Sequence, residues 1–155
     1  MNTIVIAGGC FWGVEELFRT QPGVVDTEVG YAGGENTSPT YENHPGHAEA
    51  VCITYDPSVT TADGLLDYFF QIHDPTTKNQ QGNDVGSSYR STIFFEDEAG
   101  KVAGQNAIDR NQPYWRQPIV TRLESLAQFW PAEAYHQDYL QKNPGGYTCH
   151  FERQR

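Results

Sequence analysis

The sequence is poor in basic residues, in cysteine and in long apolar runs, and each shortage argues against a class of protein. Ten lysines and arginines stand against 20 aspartates and glutamates, and the net charge of −10 argues against nucleic acid or an anionic membrane surface as a partner. The three cysteines include no C-x-x-C pair and no Cys/His ligand spacing, so they predict neither a disulfide framework nor a metal site. No apolar run approaches the roughly 20 residues of a membrane span, and the N-terminus shows no basic region followed by an apolar stretch, as a signal peptide would. We therefore expect a cytoplasmic protein with free thiols.

The length and the hydrophobic periodicity predict one α/β domain over residues 1–155. The order strand, helix, strand, strand, helix, strand is typical of the α+β plait, a ferredoxin-like split βαβ core with a mostly antiparallel sheet and helices on one face. Extra helices and an irregular, mobile tail over 141–155 complete the prediction. The predicted strands are 3–7, 25–31, 47–57, 89–95 and 119–123, and the predicted helices follow Cys10, cover 65–73 and 98–108, and begin at Pro131.

The stretch Gly8-Gly9-Cys10-Phe11-Trp12-Gly13 joins the first predicted strand to the first predicted helix. A thiol at a helix N-terminus is a candidate nucleophile, because the unpaired N–H groups and the helix dipole favour a thiolate. A helix terminus contributes only ~0.3 to 1 kcal/mol, which is less than one pKa unit, so other groups must assist the thiol. The structural alternative is that Cys10 is a buried small hydrophobe beside two core aromatics.

The third predicted strand places a carboxylate, Glu49, on the same face as Val51 and Ile53. If Glu49 and Cys10 share a pocket, repulsion between two anions makes the pair hold one proton, with the pKa of Glu49 raised by desolvation. A thiolate beside a neutral acid attacks an electrophile and protonates a leaving oxygen. Tyr41 and Tyr89, in or beside long polar loops, are candidate O–H donors to that oxygen. Taken singly, these residues are more typical of a solvated or ion-paired carboxylate and of two half-buried packing tyrosines.

The other cysteines and the histidines are less informative. Cys149 lies in the Gly-Gly-led tail, where a thiol is able to condense with a sulfenic acid on Cys10, or is merely a surface thiol. Cys52 alternates with alanines in a strand and is predicted to be core packing. Five histidines show no metal-ligand spacing and no fixed offset from Cys10, namely His44, His47, His73, His136 and His150.

Five short motifs, in the same order along almost the whole chain, resemble those of the A-type peptide-methionine sulfoxide reductases. They are Gly9-Cys10-Phe11-Trp12-Gly13, Gly46-His47-Ala48-Glu49-Ala50-Val51, Tyr55-Asp56-Pro57, Gln81-Gly82-Asn83-Asp84 and Tyr89-Arg90-Ser91. The resemblance implies reduction of the S epimer of methionine sulfoxide, free or in proteins, as a repair of oxidised proteins. It implies no metal and no bound organic cofactor.

The resemblance also implies a role for each matching residue. Cys10 is implied as the nucleophile and Glu49 as the proton donor, with Tyr41 and Tyr89 hydrogen-bonded to the sulfoxide oxygen. The implied substrate-binding residues are Phe11 and Trp12, which hold the methyl group, and Asp84, a polar group of the same pocket.

The implied cycle leaves Cys10 as a sulfenic acid, which a resolving cysteine converts to a disulfide that thioredoxin reduces, or dithiothreitol in vitro. Many family members place the resolving cysteine directly after Gly-Tyr, whereas here Thr148 intervenes before Cys149 and no further cysteine follows. We expect Cys149 to resolve Cys10 nevertheless, and a monomer is the default assembly.

Two other functions remain open from the residues alone. One is a cysteine acyl-transfer enzyme that pairs Cys10 with a histidine base, although an acid and two phenols suit protonation of an oxygen better. The other is a redox sensor or ligand-binding module that reacts once and does not turn over.

Overall fold

Six strands of this computed structural model, which describes residues 1–155, form one sheet in the order β7-β6-β1-β3-β2-β8. The strands are β1 (Asn2–Gly8), β2 (Val24–Ala32), β3 (Ala48–Tyr55), β6 (Ser91–Phe95), β7 (Arg122–Ser125) and β8 (Phe129–Pro131), and a separate hairpin contains β4 (Gln80–Gln81) and β5 (Asp84–Val85). The helices are α1 (Phe11–Arg19), α2 (Ala62–Ile72), α3 (Glu98–Asn111) and α4 (Tyr139–Lys142). All neighbours in the large sheet are antiparallel except β6 and β7. The predicted mixed α/β fold with a mostly antiparallel sheet is confirmed.

The two faces of the sheet follow the alternation of each strand. Residues at every second position, such as Ile6, Val51 and Ile53, join apolar side chains of α1, α2 and α3 in the main core. The alternate positions form a smaller cluster of Val5, Ala7, Ala32, Ala48, Ala50 and Phe94 on the other face. The half-buried Cys52 packs against this second cluster, which confirms its prediction as a packing residue.

Two predicted elements differ from the structure. The predicted strand over 119–123 begins only at Arg122, because the chain before it turns aside and the Val120 N–H donates to the Pro75 carbonyl at 2.8 Å. The helix predicted from Pro131 is wrong. Phe129–Pro131 pairs with β2 instead, and only a single turn over 134–136 and the short α4 follow.

Long-range hydrogen bonds and one backbone conformation explain the missing helix. The Gln137 side chain donates to the Val29 carbonyl and accepts from the Val29 N–H, both at 2.9 Å, so it extends the sheet edge. Asp138 adopts φ 54°, a left-handed conformation that a right-handed helix cannot contain. The segment 132–140 is thereby fixed against β2 and α1.

The C-terminal tail is irregular, as predicted, but it is docked rather than mobile. His150, its one buried residue, donates from Nε2 to the Gly8 carbonyl at 2.6 Å. Three hydrogen bonds join Arg153 and Gln71. The Arg153 N–H and guanidinium donate to the Gln71 carbonyl at 3.1 Å and 3.3 Å, and the Gln71 amide donates to the Arg153 carbonyl at 2.7 Å. The tail thus lies across the end of α2 and the end of β1, beside Cys10. None of the helices has the length and apolarity that crossing a bilayer requires.

Candidate active site

Cys10 occupies the junction between β1 and α1 that the sequence predicts. β1 ends at Gly8, and Cys10 is the residue that caps the N-terminus of α1. The intervening Gly9 has φ 102°, a conformation that side chains rarely adopt, and a β-carbon there would stand 2.7 Å from the Gln81 side chain. Glycine is therefore required to turn the chain and to let the 74–86 loop approach the thiol.

The surroundings of the Cys10 thiol favour its protonated form. Only 7% of the residue is exposed, and burial followed by the charge of Glu49 raises its pKa to about 12. The Trp12 backbone N–H acts in the opposite direction, as the helix terminus predicts, but its effect is smaller. Desolvation therefore outweighs the helix dipole in the resting protein.

Glu49 lies on β3 with its side chain directed at the first turn of α1. Its Oε1 accepts a hydrogen bond from the Phe11 N–H at 3.1 Å, and 1% of the residue is exposed. Burial, with a smaller contribution from Asp84, raises its pKa to about 8 despite that hydrogen bond. Glu49 is thus mostly a neutral acid at pH 7. Burial thus favours the protonated form of both Glu49 and Cys10, and the raised pKa of Glu49 agrees in direction with the effect of desolvation that the sequence predicts.

Two tyrosines and an aspartate surround this pair. Tyr41 and Tyr89 lie close enough for each to affect the pKa of the other. Burial, and then the charge of Glu49, raises the pKa of Tyr41 to about 12 and that of Tyr89 further, so both are neutral O–H donors. The negative charge of Asp84 contributes to the raised pKa of Cys10 and of Glu49, which places it in the same electrostatic environment.

The aromatic residues that follow Cys10 form one wall of the site. Phe11 is fully buried, with its ring 5.8 Å from that of Tyr31 and 6.4 Å from that of Tyr41. Trp12 is half-buried and stacks on Tyr139 at 3.8 Å with the rings nearly parallel. A partly exposed indole beside a buried acid is a surface on which an apolar group of a ligand is able to rest.

Sequence reasoning missed His136 and Glu133, which hold this wall in place. The His136 Nδ1 accepts the indole N–H of Trp12 at 3.0 Å. The Glu133 carboxylate accepts the Tyr31 hydroxyl at 2.8 Å and the Tyr41 backbone N–H at 3.0 Å. Nothing local identifies these contacts, because they join residues about 90 to 125 positions apart.

Glu15 is a second omission, and here the sequence did contain a signal. It falls between Val14 and Phe18 on the buried side of α1, and only 1% of the residue is exposed. Its carboxylate accepts hydrogen bonds from the Asp138 N–H at 2.8 Å and from the Thr27 hydroxyl at 2.9 Å. Burial raises its pKa to about 7. A carboxylate on the apolar face of a helix predicts a buried polar partner. Here the partners are the Asp138 N–H, just before α4, and the Thr27 hydroxyl.

Cys149 lies in the docked tail, beside Gln81. Its Sγ is 3.9 Å from the Gln81 carbonyl oxygen, and the Gln81 side chain in turn packs against Gly9. All three cysteines are free thiols, and the charge of Cys149 contributes to the raised pKa of Cys10. The two thiols therefore share one end of the molecule.

None of the five histidines hydrogen-bonds to the Cys10 thiol, which disfavours an acyl-transfer pair. His73 instead binds Ser91, at 2.8 Å between Nε2 and Oγ, and the Phe69 carbonyl, within the core. The remaining four bind backbone or side-chain groups elsewhere. No group of three or more His, Cys, Asp or Glu side chains is arranged to hold a metal ion.

Comparison with known proteins identifies close relatives over the whole chain. A family model described as peptide methionine sulfoxide reductase matches residues 2–155. The peptide methionine sulfoxide reductase MsrA of Mycobacterium sp. (strain MCS) is 58% identical over 151 residues, which are 96% of this chain and 88% of the relative. Mxr1 from Saccharomyces cerevisiae in reduced form is 40% identical with a TM-score of 0.94, covering 99% of this chain and 92% of Mxr1. Mxr1 in complex with Trx2 aligns with a TM-score of 0.69 at 31% identity, over 99% and 90% of the two chains.

Proposed function

The chain belongs to the peptide methionine sulfoxide reductase family, and we propose that its pocket acts on the S epimer, both free and within proteins. It is an oxidoreductase that reduces methionine sulfoxide to methionine, a chemistry that repairs oxidised proteins. The observation that carries the site assignment is the pairing of Cys10 with a buried, neutral Glu49, whose carboxyl accepts the N–H of the next residue, Phe11.

In the first step the Cys10 sulfur attacks the sulfoxide sulfur while Glu49 protonates its oxygen. The resulting Glu49 carboxylate takes up the Cys10 thiol proton, so that the acid is restored. The protonated oxygen then bonds to the Cys10 sulfur as its bond to the substrate sulfur breaks, and the bond between the two sulfurs breaks as well. Methionine leaves with its sulfur reduced, and Cys10 carries the oxygen as a sulfenic acid. The Tyr41 and Tyr89 hydroxyls donate hydrogen bonds to the oxygen as negative charge develops on it, and both are neutral donors at working pH.

The aromatic wall holds the substrate methyl group in this proposal. Trp12 supplies partly exposed apolar surface beside the nucleophile, and stacking on Tyr139 restrains its indole. Phe11 is fully buried beneath this wall, so its contact with the methyl group requires the pocket to open when substrate binds. Asp84 supplies a polar group at the other side of the pocket, where its carboxylate accepts the Tyr147 hydroxyl at 3.1 Å.

In the second step Cys149 converts the sulfenic acid to a disulfide, which thioredoxin then reduces. The known complex of Mxr1 with Trx2 supports thioredoxin as the reductant. The inserted Thr148 does not carry the thiol away from the site, because its hydroxyl and the His150 ring pack over Gly13, next to the α1 terminus. We therefore retain Cys149 as the resolving cysteine, with Thr148 as part of the turn that places it.

The test offers the S and R epimers of a blocked methionine sulfoxide separately, with thioredoxin, thioredoxin reductase and NADPH. We expect NADPH oxidation and stoichiometric methionine with the S epimer and a rate at the background level with the R epimer. Equal turnover of both epimers contradicts the stereospecific pocket. Consumption of one equivalent that then stops, even with dithiothreitol, indicates a sensor instead of an enzyme.

A Cys149→Ser protein separates the two steps of the cycle. We expect one methionine per enzyme in a single turnover without reductant, since Cys10 and Glu49 remain, but at least a tenfold loss of thioredoxin-dependent turnover. Dithiothreitol, a small thiol able to reduce the sulfenic acid directly, should restore multiple turnovers. If Cys149→Ser turns over with thioredoxin at the parent rate, an external thiol reduces Cys10 and the proposed role of Cys149 is wrong.

The same proposal includes the organisation of the protein. Residues 1–155 are one catalytic domain with 141–155 as its tail, and β1, α1, β2, β3, α2 and β6 are its split βαβ core. In support, β6-β1-β3-β2 are neighbours in that order, all antiparallel, with a helix after β1 and another after β3. We further propose that the protein is a monomer that needs no bound cofactor. We also propose that it is cytoplasmic, because a cycle based on Cys10 requires a compartment that returns thiols to the reduced state.

A further inference from the structure

His150, the residue after Cys149, is held in a fixed orientation and tautomer. Its Nε2 lies 2.6 Å from the Gly8 carbonyl oxygen, and since a carbonyl only accepts, Nε2 must carry the ring hydrogen. The other nitrogen, Nδ1, then has a free lone pair. It lies 3.9 Å from the Cys149 Sγ.

We propose that His150 is the general base that removes the proton from Cys149 when this thiol attacks oxidised Cys10. The proposal rests on the proposed function of Cys149 as the resolving cysteine. It adds a second acid–base group to the reaction, one that serves the second step as Glu49 serves the first.

The step balances with groups already present. The Cys149 Sγ–H proton passes to His150 Nδ1 as the sulfur forms a bond to the Cys10 sulfur. The S–O bond of the sulfenic acid breaks, and the hydroxide that leaves takes a proton from Glu49, giving water. Both sulfurs end in the disulfide, so the Cys10 sulfur is reduced and the Cys149 sulfur is oxidised, while the oxygen leaves as water without a change of oxidation state. Exchange with solvent returns a proton to Glu49 and removes one from His150.

The surroundings of the two groups suit this transfer. Burial is the largest effect on the pKa of His150 and lowers it. The hydrogen bond to the Gly8 carbonyl opposes burial, the charge of Arg153 lowers the pKa further, and Asp84 has a smaller upward effect. The imidazole is therefore neutral, with its lone pair available, at pH 7. Burial and the charge of Asp84 raise the pKa of Cys149, and the Tyr147 hydroxyl and Arg153 lower it by less. A thiol in this environment is protonated and gains from a base.

The inserted Thr148 and a glycine give the ring its position. The His150 N–H donates to the Thr148 hydroxyl at 3.1 Å, which closes a tight turn around Cys149. A β-carbon on Gly13 would collide with both the Thr148 hydroxyl and His150 Nδ1, so the ring fits only over a glycine. The distance of 3.9 Å to Sγ is long for a hydrogen bond, as is common for acid–base groups before their partner has moved to react.

The test measures disulfide formation in a single turnover of His150→Gln without reductant, at several pH values. Glutamine keeps an N–H donor for the Gly8 carbonyl but has no basic nitrogen. Quenching with an alkylating agent and peptide mass spectrometry count methionine formed and the Cys10–Cys149 disulfide. At pH 7 we expect disulfide formation about 10²-fold slower than in the parent, the lower end for loss of a general base. We also expect Cys10 sulfenic acid to accumulate. The rate of the variant should rise about tenfold per pH unit between pH 6.5 and 7.5, whereas the parent rate is flat over that range, below the pKa of about 8 at which Glu49 loses its proton.

A Gln71→Ala protein is the matched control, because it removes the hydrogen bond from the Gln71 amide to the Arg153 carbonyl, which holds the tail, and leaves the base intact. We expect any slowing in that variant to be the same at every pH. The inference is overturned if His150→Gln keeps the parent rate and flat profile, or if Gln71→Ala reproduces the steep profile. If the parent itself makes methionine without a Cys10–Cys149 disulfide, the resolving role of Cys149 fails and the base role fails with it.

Discussion

Replacement of Cys10 by serine is expected to abolish methionine formation with any reductant. A serine hydroxyl is a far weaker nucleophile than a thiol and cannot carry the substrate oxygen as a sulfenic acid. Removal of a covalent nucleophile lowers kcat by on the order of 10⁶-fold in well-studied hydrolases, and we expect a loss that reaches the detection limit. Methionine formed in a single turnover with dithiothreitol is the appropriate readout, because it does not depend on Cys149 or thioredoxin.

The matched control for this prediction is Cys52→Ser. Cys52 is half-buried against the alanine-rich cluster on the sheet face opposite the helices, so its removal tests thiol content without touching the site. We expect Cys52→Ser to keep the parent single-turnover rate. Methionine formation that survives in Cys10→Ser and disappears in Cys52→Ser would mean that Cys52, on the opposite face of the sheet, is the nucleophile, and would refute the proposed site.

A nucleophile that rests as a thiol requires an activation step, and the geometry of Glu49 supplies one. As long as both groups are protonated, burial disfavours the charged form of each. A sulfoxide oxygen that accepts the Glu49 proton leaves a carboxylate in the pocket, which is then the base for the Cys10 thiol. Activation is therefore coupled to the arrival of a substrate with a basic oxygen, and the resting thiol is protected from oxidants that lack one.

The parts of this site that local sequence determines were predictable. Cys10 follows a short apolar run and two glycines and precedes helical spacing, and Glu49 has a fixed place in the alternation of β3. Which strand lies beside which is a global property, but once β1 and β2 both pair with β3, Glu49 must face the start of α1. The pairing of nucleophile and acid thus depends on a register that the hydrophobic alternation already encodes.

The parts that were mispredicted depend on contacts between distant segments. Residues 132–140 have helical spacing, yet the Gln137 side chain bonds to the Val29 backbone, and Glu15 binds the Asp138 N–H. The free energy of these bonds overrides a weak local helix propensity. The tail has no periodic pattern at all, and a single ring, that of His150, fitted over glycines beside Cys10, decides that it is docked.

Glu49→Gln is expected to lower the rate of the first step by about 10²- to 10⁴-fold, the range for loss of a general acid. Glutamine has nearly the same shape, and its Oε1 is able to accept the Phe11 N–H, but it has no proton to give to the oxygen. In the parent, the single-turnover rate should fall as pH rises through about 8, where Glu49 loses its proton. The residual rate of the variant should not show that fall.

The same substitution is expected to stabilise the protein at neutral and higher pH. The pKa of Glu49 is raised in the folded state from 4.5 to about 8, so between these values the folded protein binds more protons than the unfolded chain. The free energy of unfolding therefore decreases as pH rises through that interval and is constant above it. At about 1.4 kcal/mol per pKa unit, the parent loses a few kcal/mol that Glu49→Gln retains.

Denaturant unfolding at pH 5 and at pH 8.5 measures this difference, with Glu28→Gln as control. Glu28 is an exposed carboxylate on β2. We expect its replacement to change the free energy of unfolding by less than about 0.5 kcal/mol at both pH values. A stability gain for Glu49→Gln that grows with pH, together with a loss of activity, means that the protein gives up folding free energy to keep a neutral acid beside Cys10. Equal stability of the parent and Glu49→Gln at pH 8.5 would mean that Glu49 is ionised at little cost, and then it is not the proton donor.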